Sequence, residues 1–442
     1  MSLRARFPRV AVALCATALA AHPARAWQAD TPRADSLRLG ALHADAARRD
    51  PRARQLELLG AQSALRQRDI DVELLPSVGL VGQAQYLSDV PSVPIRLPGS
   101  VPPTPPNDQY DAYATARSRL YDPTRGPRRD VERARLAESR ARVRTSLHGV
   151  RQAVNDAFFG ALLLQAQARD VEAGLVDLEA QLRVATQRVR EGAALPGDAA
   201  AVEAELLRRR QALAAIVAER GATLAVLSDL TGRAIGPDDP LALPDLAADA
   251  ARARAGLDAL RARPEYEQFA SARELVARQG DAAAARDRPR VSAFGRAGYG
   301  RPGLDPLNTA FDSYWLAGLQ VEWAPWTWGA TRREREVLAI QQQIVASDEA
   351  AFTEGVRRAV ARDLAAVDRL EAALRADDAI IALRERILRE ARLRFAEGVV
   401  TSAEYVDRET DALNARLARS THLVELAHAR ARFLTLVGIE VH

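Results

Sequence analysis

This 442-residue chain contains no lysine and only one cysteine. Its single cysteine, Cys15, lies in an apolar run near the N-terminus, and every basic side chain is an arginine. The chain therefore has neither a Schiff-base lysine nor the lysine of a phosphate-binding loop. The six histidines are scattered, and no acid, base and nucleophile stand together in a catalytic spacing. We therefore expect no enzyme activity, no cofactor and no metal site.

No apolar run reaches the length of a membrane-spanning helix, but the first residues have the pattern of an export signal. Three arginines precede a short apolar run over 10–21, and alanines at 24 and 26 precede a cleavage point. We predict a signal peptide over 1–26, with a short buried helix as the alternative. This segment holds four of the 62 basic residues and no acid, so the remainder carries 58 of each sign. That balance offers no excess charge for binding nucleic acid.

The remainder of the sequence contains an internal duplication. A pattern of six residues between Pro51 and Tyr86 recurs 213 positions later, and the glycine turn after Glu191 recurs 206 positions later. Matches at a nearly constant displacement over such lengths are the mark of a repeated structural unit. We predict a first structural repeat over 27–240 and a second over 241–442.

Each repeat contains a long helical hairpin, predicted over 128–232 and over 330–437. In the first, apolar residues follow an unbroken three-four spacing over 147–189, which is the seam of a coiled coil. The second seam is weaker, or has one side in water, because three charged residues interrupt it: Asp363, Asp377 and Arg384. Both long helices stop at a glycine, and a returning helix follows.

Strands are predicted in pairs before each hairpin, near 76–88, 110–121, 289–300 and 312–324. In the last strand one face carries Trp315, Leu319, Val321 and Trp323, whereas the alternate face is mostly polar. Such alternation with tryptophan at both ends is typical of a strand that faces lipid on one side. A half-buried sheet in a water-soluble protein is the alternative. Four strands cannot close a membrane barrel, so further copies would have to pair the sheet edges.

The order of these features resembles the TolC-type outer-membrane efflux proteins, the outer-membrane factor family. The resemblance rests on the strands that start at Pro76 and Pro289, the strand-to-helix corners at 122–126 and 324–329, and the twin glycine turns. It covers almost the whole chain after the leader. It implies a mainly α fold with a small β part, in which a homotrimer forms one transmembrane β-barrel continued by a periplasmic α-helical coiled-coil barrel.

The resemblance also implies a function. Such proteins are passive exit ducts in the outer membrane of tripartite efflux or secretion systems. A periplasmic adaptor (a membrane fusion protein) docks on the helical end, and an inner-membrane pump of the RND, ABC or MFS type supplies the energy. The barrel would contact outer-membrane lipid, and the helical part would lie in the periplasm.

The turns between the long helices would form the periplasmic tip of the duct. By resemblance, Gly192 and Gly398, with Arg188 and Arg394 just before them, would contact the adaptor.

Three acids near the tip would form the gate. Glu404 and Asp407 match acids that line the periplasmic constriction in some family members, and Asp198 occupies the corresponding place in the first repeat. Rings of such carboxylates around a three-fold axis would favour cations. From the residues alone, Glu404 equally fits a helix-capping position near Thr401 and Ser402.

A different class of protein shares most of these features. A periplasmic coiled-coil scaffold or adaptor without a membrane barrel would also have a signal peptide, long helices and glycine turns. The strand over 312–324 discriminates between the two, because an adaptor needs no lipid-facing strand.

Overall fold

The computed structural model describes residues 37–90, 104–256, 262–305 and 309–440, and the predicted signal peptide over 1–26 lies outside these ranges. Helices dominate the described part, and strands form one small sheet. None of its helices combines the length and the apolarity that a membrane crossing requires.

The first half of the chain runs from short helices through two strands to a long hairpin. Its elements are α1 (Leu39–Arg49), α2 (Gln55–Val72), β1 (Ser77–Tyr86), β2 (Asp108–Tyr121), α3 (Arg125–Arg190) and α4 (Pro196–Thr231), with a 3-10 turn at Pro51–Arg54. With 66 residues at 1.5 Å each, α3 is about 100 Å long.

The second half repeats this order. Its elements are α5 (Ala247–Ala255), α6 (Pro264–Ala285), β3 (Arg290–Arg301), β4 (Asp312–Glu322), α7 (Ala330–Ala396) and α8 (Ser402–Val437). The unit of two strands, long helix, turn and returning helix thus occurs twice. The prediction of a mainly α fold with a small β part, built from a duplicated unit, is confirmed.

The four strands form one antiparallel sheet in the order β1-β2-β3-β4. The register places Ala297 of β3 opposite both Ala114 of β2 and Trp315 of β4, so the small and apolar residues share a face. Because β1 and β4 are the outer strands, each presents one edge of backbone groups that no other described strand pairs.

The main core lies where the two hairpins meet, towards the ends of α4 and α8 and away from the glycine turns. Phe158 and Phe159 of α3, with Leu227 of α4 and Phe433 and Leu434 of α8, are all almost completely buried there. Helix α1 adds Leu42 to this cluster. Burial of each of these side chains stabilises the fold by about 1.5–3 kcal/mol, so this cluster anchors both repeats to each other.

The seams of the two hairpins differ in chemistry. Between α3 and α4 the seam is apolar, with Leu175, Leu178, Val202 and Leu206 buried. Between α7 and α8, polar pairs are added to the apolar contacts of Val367 and Leu370 with Leu426 and Ala429, and the three interrupting charges each have a partner on α8. The pairs are Asp363–Arg432 (2.6 Å), Asp377–His422 (2.6 Å) and Arg384–Asp411 (2.8 Å).

The exposed fractions of Asp363 and Asp377 decide whether the second seam is merely weaker or has one side in water. Asp363 is 1% exposed and Asp377 is 7% exposed, so these carboxylates do not face water. A buried carboxylate is stable only with a partner of opposite charge or a donated hydrogen bond, and α8 supplies both.

Candidate functional site at the helical tip and the sheet

The two glycine turns at the ends of the long helices have the same geometry. Gly192 and Gly398 have φ angles of 72° and 79°, in the left-handed region that residues with a Cβ rarely adopt. In the second turn, the Gly398 N–H donates to the Phe395 carbonyl (3.1 Å) and the Val399 N–H donates to the Arg394 carbonyl (2.8 Å). The first turn has the equivalent pair of bonds. These are Schellman turns, which satisfy the last carbonyls of each helix.

Arg188 ties the two turns together. Its guanidinium donates to the backbone carbonyl of Phe395 and lies 5.7 Å from the centre of the Phe395 ring. A Cβ on Gly398 would collide with the same guanidinium. Arg188 is therefore half-buried in a contact between the repeats, whereas Arg394 is exposed.

Asp198 also links the repeats. Its carboxylate accepts hydrogen bonds from the backbone N–H of Leu195 (3.1 Å), at the start of its own helix, and of Ser402 (3.4 Å), at the start of α8. The second contact, which sequence spacing gave no sign of, joins the start of α4 to the start of α8. Asp198 thus holds the two helix starts beside each other.

The carboxylates of Glu404 and Asp407 are both exposed. The helix start is capped by Thr401, whose hydroxyl accepts from the Glu404 N–H (3.2 Å). The Glu404 carboxylate makes no return bond to the Thr401 backbone, and within the described ranges neither carboxylate has an ion-pair partner. Three residues apart on a helix, the two carboxylates share one face. They are therefore available to charges in the surrounding solution.

The sheet presents an apolar face to the surroundings. Trp315, Leu319 and Val321 of β4, and Trp323 directly after it, are each at least 59% exposed, and Leu80 of β1 is 85% exposed. A large exposed apolar surface of this kind marks an interaction site for a protein or a membrane. Aromatic rings stand at the far end of this face: Phe311 stacks on Tyr299 and Tyr110 at centre distances of 5.6 and 6.1 Å.

The opposite face of the sheet is polar and internally bonded. The guanidinium of Arg296 lies 3.5 Å from the centre of the Tyr113 ring and pairs with Asp111. The Tyr314 hydroxyl donates to the same carboxylate (2.6 Å). Gly298 leaves the space that these rings occupy, because a Cβ there would lie 2.7 Å from Tyr113. The two faces of the sheet therefore suit two different environments.

Comparison with solved structures identifies this arrangement. Neither protein-family models nor curated proteins match the sequence. The fold, however, is similar to that of CusC, whose crystal structures describe transmembrane channel formation (17% identity, TM-score 0.68, 91% of this chain and 92% of that chain). It is also similar to the outer membrane protein VceC of Vibrio cholerae (16%, 0.64, 91% and 97%) and the MtrE outer membrane channel of Neisseria gonorrhoeae (19%, 0.63, 91% and 89%).

This chain has the outer-membrane channel fold. The resemblance to the TolC-type outer-membrane efflux proteins is thus confirmed at the level of the fold. The similarity extends over about nine-tenths of this chain, so it includes both hairpins and the sheet.

One buried group in this channel fold was missed by sequence reasoning. Arg209 of α4 pairs with Glu409 of α8, and both side chains are at most 2% exposed. Glu205 also pairs with Arg209 (2.7 Å), so two carboxylates share one guanidinium. Burial is the largest single influence and lowers the pKa of Arg209, but the interactions with Glu409 and Glu205 together outweigh it, so the pKa of Arg209 is raised. Gly174 of α3 makes the space, because a Cβ there would lie 2.8 Å from this guanidinium. A glycine inside a long helix costs about 1 kcal/mol relative to alanine. Gly174 was therefore the one sign in the sequence that another group packs closely against α3 at this point.

Proposed function

We propose that this protein is a passive exit duct in the outer membrane, part of a tripartite efflux or secretion system. The observation that carries the proposal is the sheet, with an exposed apolar face, a polar opposite face and two unpaired edges. Lipid would cover the first face and water the second. The long hairpins would extend the aqueous path on the periplasmic side.

The unpaired edges support self-assembly. The helices beneath the sheet pack in the order α2-α3-α6-α7, so α2 and α7 are outermost, next to the edge strands β1 and β4. Both outer helices carry exposed apolar stripes: Leu58, Leu65 and Val72 on α2, and Val337, Ile340 and Ile344 on α7. The stripe of one copy would pack on the opposite stripe of the next, and head-to-tail contacts of this kind form a ring when the rotation between copies closes. Following the resemblance, we propose a homotrimer in which each copy contributes four strands.

The tip is proposed as the site of gating and docking. In a three-fold ring, the exposed carboxylates of Glu404 and Asp407 would come together near the axis and favour cations. The exposed Arg394 and the two glycine turns, at Gly192 and Gly398, would contact a periplasmic adaptor, which in turn engages an inner-membrane pump. Arg188 and Asp198 would hold the two turns in position for both roles.

Membrane extraction tests the proposal. Washing isolated membranes with carbonate should leave the protein in the pellet, and detergent should release it as a complex with the mass of three chains. Release of a monomer by carbonate alone would contradict the proposal and would favour the periplasmic scaffold. A variant with Leu65 and Ile340 both replaced by Asp should yield smaller species, because charges would then stand in the contact between copies.

A further inference from the structure

The corner between β4 and α7 contains a strained tryptophan. The Ala330 N–H donates to the Thr327 carbonyl (3.0 Å), and the two central residues of this turn, Trp328 and Gly329, have φ angles of 52° and 73°. Positive φ at both central positions defines a type I′ turn, which glycine, asparagine and aspartate dominate. Among the described residues other than glycine, Trp328 alone has a positive φ. The backbone strain costs of order 1–3 kcal/mol, so this position is a candidate for function.

The fold itself does not require this turn. The same corner of the first repeat, between β2 and α3, is closed by Asp122. Its carboxylate accepts from the Thr124 N–H (2.9 Å) and hydroxyl (2.7 Å), and none of these residues has a positive φ. The left-handed tryptophan thus belongs to the second corner only.

The turn projects its indole ring outward. Trp328 is 82% exposed, and Trp326 is 74% exposed and packs edge-to-face on it at a centre distance of 5.9 Å. Trp323, whose ring nitrogen donates to the Asp287 carbonyl (3.0 Å), lies in the chain between the end of β4 and this pair. The Arg333 guanidinium donates to the Trp328 carbonyl (3.0 Å) and holds the turn in place. The apolar face of the sheet therefore continues into a tryptophan pair.

The two segments that flank this corner carry more positive than negative charge, with six arginines and four acids over 286–290 and 322–336. Arg288 and Arg335 are exposed and have no ion-pair partner in the described ranges. Two of the acids are occupied, because Glu334 pairs with Arg286 (2.9 Å) and Glu336 with Arg332 (2.9 Å), whereas Glu322 is exposed and has no ion-pair partner in the described ranges. Asp287 accepts from the Thr331 hydroxyl (2.7 Å).

A neighbouring copy would bring two acids that are already paired. At the opposite edge, the corner beside α2 presents Asp71 and Glu73. These carboxylates already pair with Arg125 (2.6 Å) and with Arg128, respectively. The excess positive charge of the Trp328 corner is therefore not balanced by Asp71 or Glu73.

We propose that Trp326 and Trp328, with Arg288 and Arg335, form an anchor for anionic phospholipid at the periplasmic surface of the outer membrane. Indole rings favour the interface between the acyl chains and the headgroups, and guanidinium groups pair with headgroup phosphates. The inference rests on the proposed function, because it places the sheet in a bilayer. It adds the partner of this corner and the chemistry of that partner.

Single-tryptophan proteins test the anchor by fluorescence quenching in reconstituted vesicles. Four of the five tryptophans are replaced by Phe, leaving Trp328. A reference protein has all five replaced and carries Leu319→Trp on the sheet. Lipids brominated close to the headgroup should quench Trp328 more than lipids brominated deep in the acyl chain, with the reverse order for Leu319→Trp. The anchor would be overturned if aqueous acrylamide quenched Trp328 and bromolipids did not. It would also be overturned if neither acrylamide nor bromolipid quenched Trp328, because the ring would then be buried under a second copy. If bromolipids quenched neither Trp328 nor the tryptophan of the reference protein, the proposed function itself would be refuted.

The choice of headgroup tests the arginines. In the protein that retains Trp328, brominated phosphatidylglycerol should outcompete brominated phosphatidylcholine about fivefold, the effect of about one basic residue at an anionic surface. Arg335→Gln should bring this ratio close to one. Arg332→Gln, which removes a guanidinium already paired with Glu336, is the matched control and should leave the ratio unchanged. Equal quenching by both lipids in the unaltered sequence would overturn the role of the arginines.

Discussion

At the scale of single residues, His43 shows how burial sets a protonation state. Its ring is 6% exposed in the core beside α3, and its Nε2 lies 2.7 Å from the Asn155 side-chain oxygen. Asn155 is itself fully buried and donates to the Thr435 hydroxyl (3.0 Å). Burial lowers the pKa of His43 from 6.5 to about 4, and the nearby positive charge of Arg151 acts in the same direction. The ring is therefore neutral at physiological pH.

This pKa shift predicts a pH dependence of stability. Because the unfolded chain binds the proton more readily, the contribution of His43 is complete above pH 6.5 and is lost as the pH falls towards 4. The full effect on the free energy of unfolding is about 3 kcal/mol. Thermal unfolding of the detergent complex at a series of pH values should show a shallower acid-side decline for His43→Gln. The pKa values of His148 and His428 are also lowered by burial, so part of the slope should remain. An unchanged slope would contradict the assignment.

The two turn glycines predict unequal costs of the same substitution. Gly192→Ala introduces left-handed strain only, about 1 kcal/mol, because nothing lies within 4 Å of its Cβ position. Gly398→Ala adds a collision with Arg188 and the loss of the bond to the Phe395 carbonyl, about 1 kcal/mol more. The melting temperature should therefore fall further for Gly398→Ala. In an Arg188→Ala background the difference should disappear, and a persistent difference would show that Arg188 is not its cause.

At the scale of elements, both hairpins have buried apolar contacts, but they differ in the number of ion pairs between their helices. The α3–α4 seam is apolar and has one exposed cross-pair, Glu179–Arg210 (2.7 Å). The α7–α8 hairpin adds two further cross-pairs, Glu371–Arg430 and Asp378–Arg419 (both 2.7 Å), to those at its interrupted seam. Screening affects exposed ion pairs far more than apolar contacts.

Salt should therefore loosen the second hairpin selectively. Raising the ionic strength from about 0.1 M to about 1 M shortens the screening length from about 10 Å to about 3 Å. With several exposed pairs of about 0.3–0.5 kcal/mol each, amide hydrogen exchange in α7 and α8 should become about two to five times faster. Exchange in α3 and α4 serves as the internal control. Equal acceleration in both hairpins would contradict the difference in seam chemistry.

Elements could be predicted from the sequence wherever a period was clear. The seven-residue repeat located the hairpins, and the two-residue alternation located β4 with Trp315 and Trp323. Partner choice was out of reach, because it depends on how helices rotate against each other. Arg209 and Glu409 are 200 positions apart, and nothing local marks them as a pair. Likewise, the bond from the Ser402 N–H to Asp198 needs both turns to meet, which only the packed hairpins determine.

At the scale of the whole molecule, the proposed function requires lipid on one face of the sheet only. Leu319→Arg should impair assembly, because a charge near the bilayer midplane costs about 2–4 kcal/mol. Gln320→Arg is the matched control, since its side chain points to the polar face of the same strand. The yield of detergent-extracted complex should drop for the first variant only. Normal assembly of Leu319→Arg would mean that this face does not meet lipid.

The acids at the tip predict the ion selectivity of the assembled duct. Replacing Glu404 with Gln and Asp407 with Asn removes two exposed carboxylates per copy while keeping the side-chain shape. Cation preference, read from reversal potentials across a salt gradient, should fall, and the unfolding temperature should stay constant. Asp411→Asn is the comparison variant, because that acid is already paired with Arg384 (2.8 Å) and should affect selectivity less. Unchanged selectivity in the double variant would remove both acids from the gate.

The most direct test of the central claim, that identical copies join into a membrane-spanning duct, is the conductance of the purified protein in a planar bilayer. The account predicts discrete current steps of uniform size, carried mainly by cations. The absence of current steps after the protein is added, together with a water-soluble monomer as the only species in detergent-free buffer, would contradict it.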